Sequence, residues 1–95
     1  MIKIENTKMV VEISRKFTKQ YDKAPLVIRL SFQNRLRIFK EAPYAPILQN
    51  HWLKGEWLGH RSINITGDWR AIYFHIDEQR VVFRAIGTHS QLYNK

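Results

Sequence analysis

Ninety-five residues suffice for one hydrophobic core and not for two, so the chain reads as a single domain over 1–95, with residues 1–7 as an N-terminal extension. It has no cysteine, which excludes disulfides and thiolate-held zinc, and no run near the roughly 20 apolar residues of a membrane span, so a soluble, cytoplasmic protein without a membrane partner is expected. Sixteen Lys and Arg against eight Asp and Glu leave a net charge of +8, which makes polyanions the natural partner class.

"KMVVEI" reads as a short strand, and Ser14 after it is a good N-cap for a helix over Arg15 to Asp22. Pro25 suits the first turn of a second helix, on which Val27 or Ile28, Phe32, Leu36 and Phe39 recur at helical spacing. "EAPYAP" stops that helix, and an irregular connection leads through Gln49 into "NHWLKGEWLGHR".

From His60 the pattern changes to period two. If Gly67 and Asp68 form the two-residue loop of a type II′ hairpin, Ile63 faces Ile72. Ile63, Ile65, Ile72 and Phe74 then share an oily face, and Ser62, Asn64, Ala71, Tyr73 and His75 share the other. A second turn at Glu78 and Gln79 adds Val81, Phe83 and Ala85 to the oily side and Val82, Arg84 and Ile86 to the polar side. The expected fold is α+β: a small, mostly antiparallel sheet with an N-terminal helical hairpin packed on one face. Arg70 fits poorly, because strict alternation puts it on the oily face.

The charge is uneven. Residues 1–50 carry ten basic and four acidic groups, whereas all four histidines lie in the second half. No H-x-x-x-H or H-E-x-x-H spacing suggests a metal site, and neither G-x-S-x-G nor a phosphate-binding glycine loop is present, so no metal or cofactor is expected. The inventory does match acid–base cleavage of RNA. That reaction needs a base for the ribose 2′-hydroxyl, an acid for the departing 5′-oxygen, and cations for the phosphate. His51, Asp68 at the bend and His89 in "GTHSQLY" could supply the proton carriers, and arginines the cations. The plainer alternative for the polar face is solvent contact.

The run from Asn50 to Tyr93, with "HWLKGEWLG", "GDWRAIY" and "GTHSQLY", resembles the C-terminal core of the RelE/YafQ family of bacterial type II toxins, and "VVEISRKFTKQYDKAP" is similar to that family's opening strand and helical hairpin. The resemblance implies a ribosome-dependent mRNA endonuclease, with a cognate antitoxin, the ribosome and mRNA as partners and cleavage by 2′-hydroxyl attack. It implies His51, Asp68 and His89 as catalytic groups, with Arg70 and Arg84 stabilising charge on the phosphate. Trp69, Tyr93, Lys54, Arg61 and Asn64 are expected to contact substrate. Asn64 departs from the YafQ-like pattern, which has a catalytic histidine there, and an amide cannot carry a proton at neutral pH. A weakened toxin, or a non-catalytic module that binds RNA or antitoxin, is therefore the alternative.

Overall fold

The computed structural model describes residues 8–93. Its elements are β1 (Val10–Ile13), α1 (Arg15–Lys23), α2 (Leu26–Glu41), β2 (His51–Trp52), β3 (Arg61–Thr66), β4 (Trp69–His75), β5 (Arg80–Thr88) and α3 (His89–Tyr93). The five strands form one sheet in the order β1-β5-β4-β3-β2. β1 runs parallel to β5 and the other three pairings are antiparallel, so the sheet is mixed. The expected 1–7 extension lies outside the described residues.

The helical hairpin forms as its periodicity predicts. Ser14 Oγ accepts the Phe17 amide at 3.1 Å, a cap of a kind that contributes about 1 kcal/mol. Phe17, Ile28, Phe32 and Phe39 bury one face of the hairpin against Ile63, Ile65, Tyr73, Val81 and Phe83 of the sheet. Ring centroids lie 4.9 Å apart for Phe39 and Tyr73 and 5.0 Å apart for Phe17 and Phe32. Truncating a buried ring here would cost roughly 3–5 kcal/mol.

The sheet faces differ from the alternating pattern, and two bulges are the reason. Thr66 pairs with Trp69 across the Gly67–Asp68 turn, where Gly67 has φ +50° as expected for the first turn position. One step further Asn64 pairs with Arg70 and Ile63 with Ala71, so Ile65 is an extra residue in β3. A one-residue slip moves every later side chain to the other face. Ala71 and Tyr73, expected on the polar side, therefore join the helix-facing core, while Ile72 leaves it. Phe74 follows Ile72 and is 40% exposed rather than core. A second bulge leaves Arg84 unpaired between Phe83, opposite Tyr73, and Ala85, opposite Ile72. It exchanges Ala85 and Ile86, so that Ile86 enters the main core and Ala85 joins Ile72, Leu53 and Leu92 in a smaller cluster on the opposite face. That face, expected to be polar and open, is thus partly covered by the segment around Leu53 and by α3.

Candidate functional site

His51, Trp52, Leu53, Lys54, Arg70, His89 and Tyr93 line one cleft of about 440 Å³ on this second face. Arg70 reaches it because of the β3 bulge. Without the slip its guanidinium would enter the aromatic core, where no partner could offset the loss of water. With it, Nε donates to Ser62 Oγ at 2.9 Å and Nη2 to the Gln49 carbonyl at 3.0 Å. Ser62 is fully buried and Arg70 is 9% exposed. Burial lowers the Arg70 pKa from its ordinary value, and the Tyr93 hydroxyl beside it acts in the opposite direction. That hydroxyl is buried and meets the geometry of a hydrogen bond with no described residue.

His51 occupies the edge strand β2, which pairs with β3 through His51 opposite Ser62. Its Nδ1 lies 2.9 Å from the Gln49 carbonyl and 3.4 Å from Arg70 Nη2. A carbonyl only accepts and a guanidinium only donates, so the shorter contact makes Nδ1 the donor, and in the neutral ring the lone pair is then on Nε2. The Arg70 approach is then a contact between two donors. Gln49 serves both groups from a left-handed conformation, φ +46°, ψ +47°, and is the single non-glycine residue with positive φ among those described. It closes the 3₁₀ turn Pro46–Leu48, whose Leu48 is fully buried.

His89 is held by the "GTHSQLY" segment. The Gln91 Oε1 accepts the Thr88 amide at 2.9 Å and Thr88 Oγ1 accepts the Gln91 amide at 3.3 Å, a capping box that starts α3. A Cβ on Gly87 would stand 3.0 Å from Gln91 Oε1, so the capping amide would have to shift by a few tenths of an ångström to admit one. The His89 amide donates to the Asp68 carbonyl at 3.0 Å, tying α3 to the hairpin turn, and its ring packs edge-on against Tyr93 at 4.6 Å.

The other expected site residues are distributed as follows. Asp68 sits exposed in the turn beside His89, and Asn64 shares the face of Arg70, with Nδ2 donating to the Gly67 carbonyl at 3.3 Å. Lys54 lines the cleft. Arg84 does not: as the bulge residue of β5 it is exposed over the Phe74 ring, in a separate hollow with Ser14, Lys16 and Trp57. Trp69 packs against the helix-facing core beside α1. Arg61 is bound to Asn50 Oδ1 at 2.7 Å, and Asn50 in turn donates to the Tyr73 hydroxyl. Burial raises the pKa of that phenol, with the Asn50 bond opposing. Ser62, Gln49 and Trp52 were not anticipated at the site, and nothing in the local pattern marks Gln49. The described residues contain no group of three or more His, Asp or Glu able to hold a metal ion, and no helix among them is long and apolar enough to cross a membrane.

The family profile described as "Bacterial toxin of type II toxin-antitoxin system, YafQ" matches residues 9–94. Among solved structures, YafQ from E. coli strain BL21(DE3) is 24% identical, covering 90% of this chain and 99% of its own with a TM-score of 0.69. The E. coli DinJ-YafQ toxin-antitoxin complex gives 26% identity, 90% and 98% coverage and a TM-score of 0.68. The toxin-antitoxin complex RelBE2 from Mycobacterium tuberculosis shares the fold, with 19% identity, 86% and 99% coverage and a TM-score of 0.70. No curated protein matches the chain.

Proposed function

This chain belongs to the YafQ family of bacterial type II toxins, and we propose that it acts as a ribosome-dependent mRNA endonuclease restrained by a cognate antitoxin. The observation that carries the reading is the convergence of His51, Arg70 and His89 on one cleft. A base, a cation and an acid are what metal-independent cleavage beside a 2′-hydroxyl requires.

In the proposed reaction His51 Nε2 takes the proton of the 2′-hydroxyl, and the 2′-oxygen attacks the adjacent phosphorus; Asp68, exposed in the turn beside His89, has no contact with His51 that would let it share the base function. The bond from phosphorus to the 5′-oxygen breaks, His89 protonates that oxygen, and the products carry a 2′,3′-cyclic phosphate and a 5′-hydroxyl. Arg70 and Lys54 stabilise the charge on the non-bridging oxygens. Arg84, exposed outside the cleft, is better suited to contact phosphates further along the RNA. Asn64 orients the substrate beside Arg70, its register partner. The +8 charge and the exposed cations of α1 and α2 favour contact with ribosomal RNA. The antitoxin partner is inferred from the DinJ-YafQ and RelBE2 complexes.

The test uses ribosomes programmed with a defined message. The purified chain should cut the message only on the ribosome and leave 5′-hydroxyl ends, and His89→Ala should slow the cut by about 10²–10⁴-fold. A chain that leaves the message intact, or a His89→Ala variant that cuts at the parental rate, overturns the reading.

A further inference from the structure

Asn50 separates Gln49 from His51 in the chain, and its side chain leads away from the cleft. The Gln49 carbonyl, which meets both His51 Nδ1 and Arg70 Nη2, belongs to the peptide group that ends at the Asn50 Cα. From that Cα the side chain runs to partners on the helix-facing side of the sheet. Nδ2 donates to the Pro43 carbonyl at 2.8 Å and to the Tyr73 hydroxyl at 2.7 Å, and Oδ1 accepts from Arg61 Nε at 2.7 Å. A carbonyl only accepts and a guanidinium only donates, so these partners fix which way the amide is turned. The anchors are themselves held. Tyr73 is fully buried against Phe39, and the Arg61 guanidinium packs on the Tyr44 and Trp52 rings, 5.2 and 4.4 Å from their centroids. We propose that Asn50 is a positioning residue, which sets the tautomer of His51 through the Gln49 carbonyl without touching substrate.

The bond from Asn50 to Pro43 ties the end of the irregular connection to its start, and the bonds to Tyr73 and Arg61 tie that end to β4 and β3. Together they hold the plane of the peptide between Gln49 and Asn50. If they are removed that plane is free to turn, and its carbonyl leaves His51. Which ring nitrogen of a histidine carries the proton is set by the hydrogen bond it finds, and a neutral imidazole in water prefers its proton on Nε2. Loss of the acceptor at Nδ1 therefore takes away the lone pair that the proposed reaction uses. Only this last step rests on the RNA-cleaving reading, because the position of the proton can be read in a chain that is not cutting.

The measurement is the nitrogen NMR spectrum of the histidine-labelled protein with the rings neutral, in which protonated and bare ring nitrogens resonate far apart and His51→Gln assigns the signals. The parent should carry the His51 proton on Nδ1. Asn50→Ala should move the ratio of the two tautomers toward the Nε2 form by about 2- to 10-fold, the contribution of one net hydrogen bond. Tyr73→Phe keeps the ring and removes one anchor, so it should move the ratio the same way by less, and it decides the question if Asn50→Ala does not fold. Phe32→Leu loosens the helix-facing core beside Phe17 and should leave the ratio unchanged. A parent with its proton on Nε2, or an unchanged ratio in Asn50→Ala, or in Tyr73→Phe where the alanine variant is unfolded, overturns the proposal. So does an equal change in Phe32→Leu, which would make the shift a consequence of lost stability alone. Where the parent cuts programmed ribosomes, Asn50→Ala should cut more slowly, and a parental rate despite a shifted ratio overturns the link to catalysis. A parent that fails to cut refutes the nuclease reading and leaves the tautomer ratio to decide the positioning role.

Discussion

The bond between Arg70 and Ser62 allows the cleft's energetics to be tested directly. Ser62→Ala removes the oxygen that accepts from Arg70 Nε at 2.9 Å, at a position with no exposed surface through which water could replace it. Hydrogen bonds to charged groups contribute about 1.5–3 kcal/mol, and a buried donor left unpaired costs at least that much. For a domain of this size each kcal/mol shifts the melting temperature by roughly 4–8 °C. Ser62→Ala should therefore lower it by about 6–24 °C. Arg70→Met behaves differently, because it removes the desolvated charge along with its need for partners and should leave stability nearly unchanged or higher. In the Arg70→Met background Ser62→Ala should cost almost nothing. Thermal unfolding of the two single variants and the double variant closes the cycle. Equal penalties for Ser62→Ala in both backgrounds would refute the claim that Ser62 exists at this position to hold the guanidinium.

Four further outcomes follow from the same geometry. Gln49→Gly keeps the carbonyl and relieves a left-handed backbone, so melting temperature and cleavage should hold, whereas Gln49→Val should lose about 1–3 kcal/mol in unfolding assays and most activity. Thr88→Val deletes the cap of α3; expect about 1 kcal/mol less stability and slower cleavage as His89 loosens, with parental kinetics counting against the capping role. The Asp77 carboxyl is held below the usual carboxylate range, first by the Gln79 amide and then by the Arg80 side chain. That contribution is present above about pH 4 and vanishes as the pH falls through the depressed value, so Asp77→Asn should melt earlier than the parent at pH 7 and together with it in strong acid. Asn64→His should leave the cleavage rate unchanged if Arg70 already supplies the function of that strand face; a rate increase in the same single-turnover assay would show a missing proton carrier to be limiting.

Much of the architecture is legible without coordinates because it is periodic. The spacing of Phe32, Leu36 and Phe39 and the cap at Ser14 specify the helical hairpin, and Gly67 specifies the turn by its positive φ. What periodicity cannot show is an added residue. Ile65 and Arg84 each look like ordinary members of an alternating strand, yet the bulge at each reverses the faces beyond it. The one signal was Arg70, whose charge is incompatible with the face that alternation assigns it. His51, His89 and Tyr93, which line the cleft, sit in recognisable runs, as does Asp68, which stays in the turn outside it, whereas Gln49 acts through its backbone carbonyl and leaves no trace in residue type. Arg84 and Trp69 were readable as residues but not as directions, since each depends on a register that the bulges decide.

The β3 bulge also explains why this cleft combines a histidine and an arginine. Asn64 is paired with Arg70, and the slip turns Arg70 onto the sheet face that Asn64 already occupies. A strict hairpin would have put Arg70 on the helix-facing side of the sheet, among apolar side chains, where an unpaired guanidinium would destabilise the core by several kcal/mol. One extra residue removes that cost and sets a cation beside the Asn64 amide. The change is not free of consequence, because the cation now depends on Ser62 and on a left-handed Gln49 for its partners. Stability and charge placement are therefore coupled at this site. Substitutions that stabilise the cleft by removing Arg70 should be the same ones that impair phosphate stabilisation.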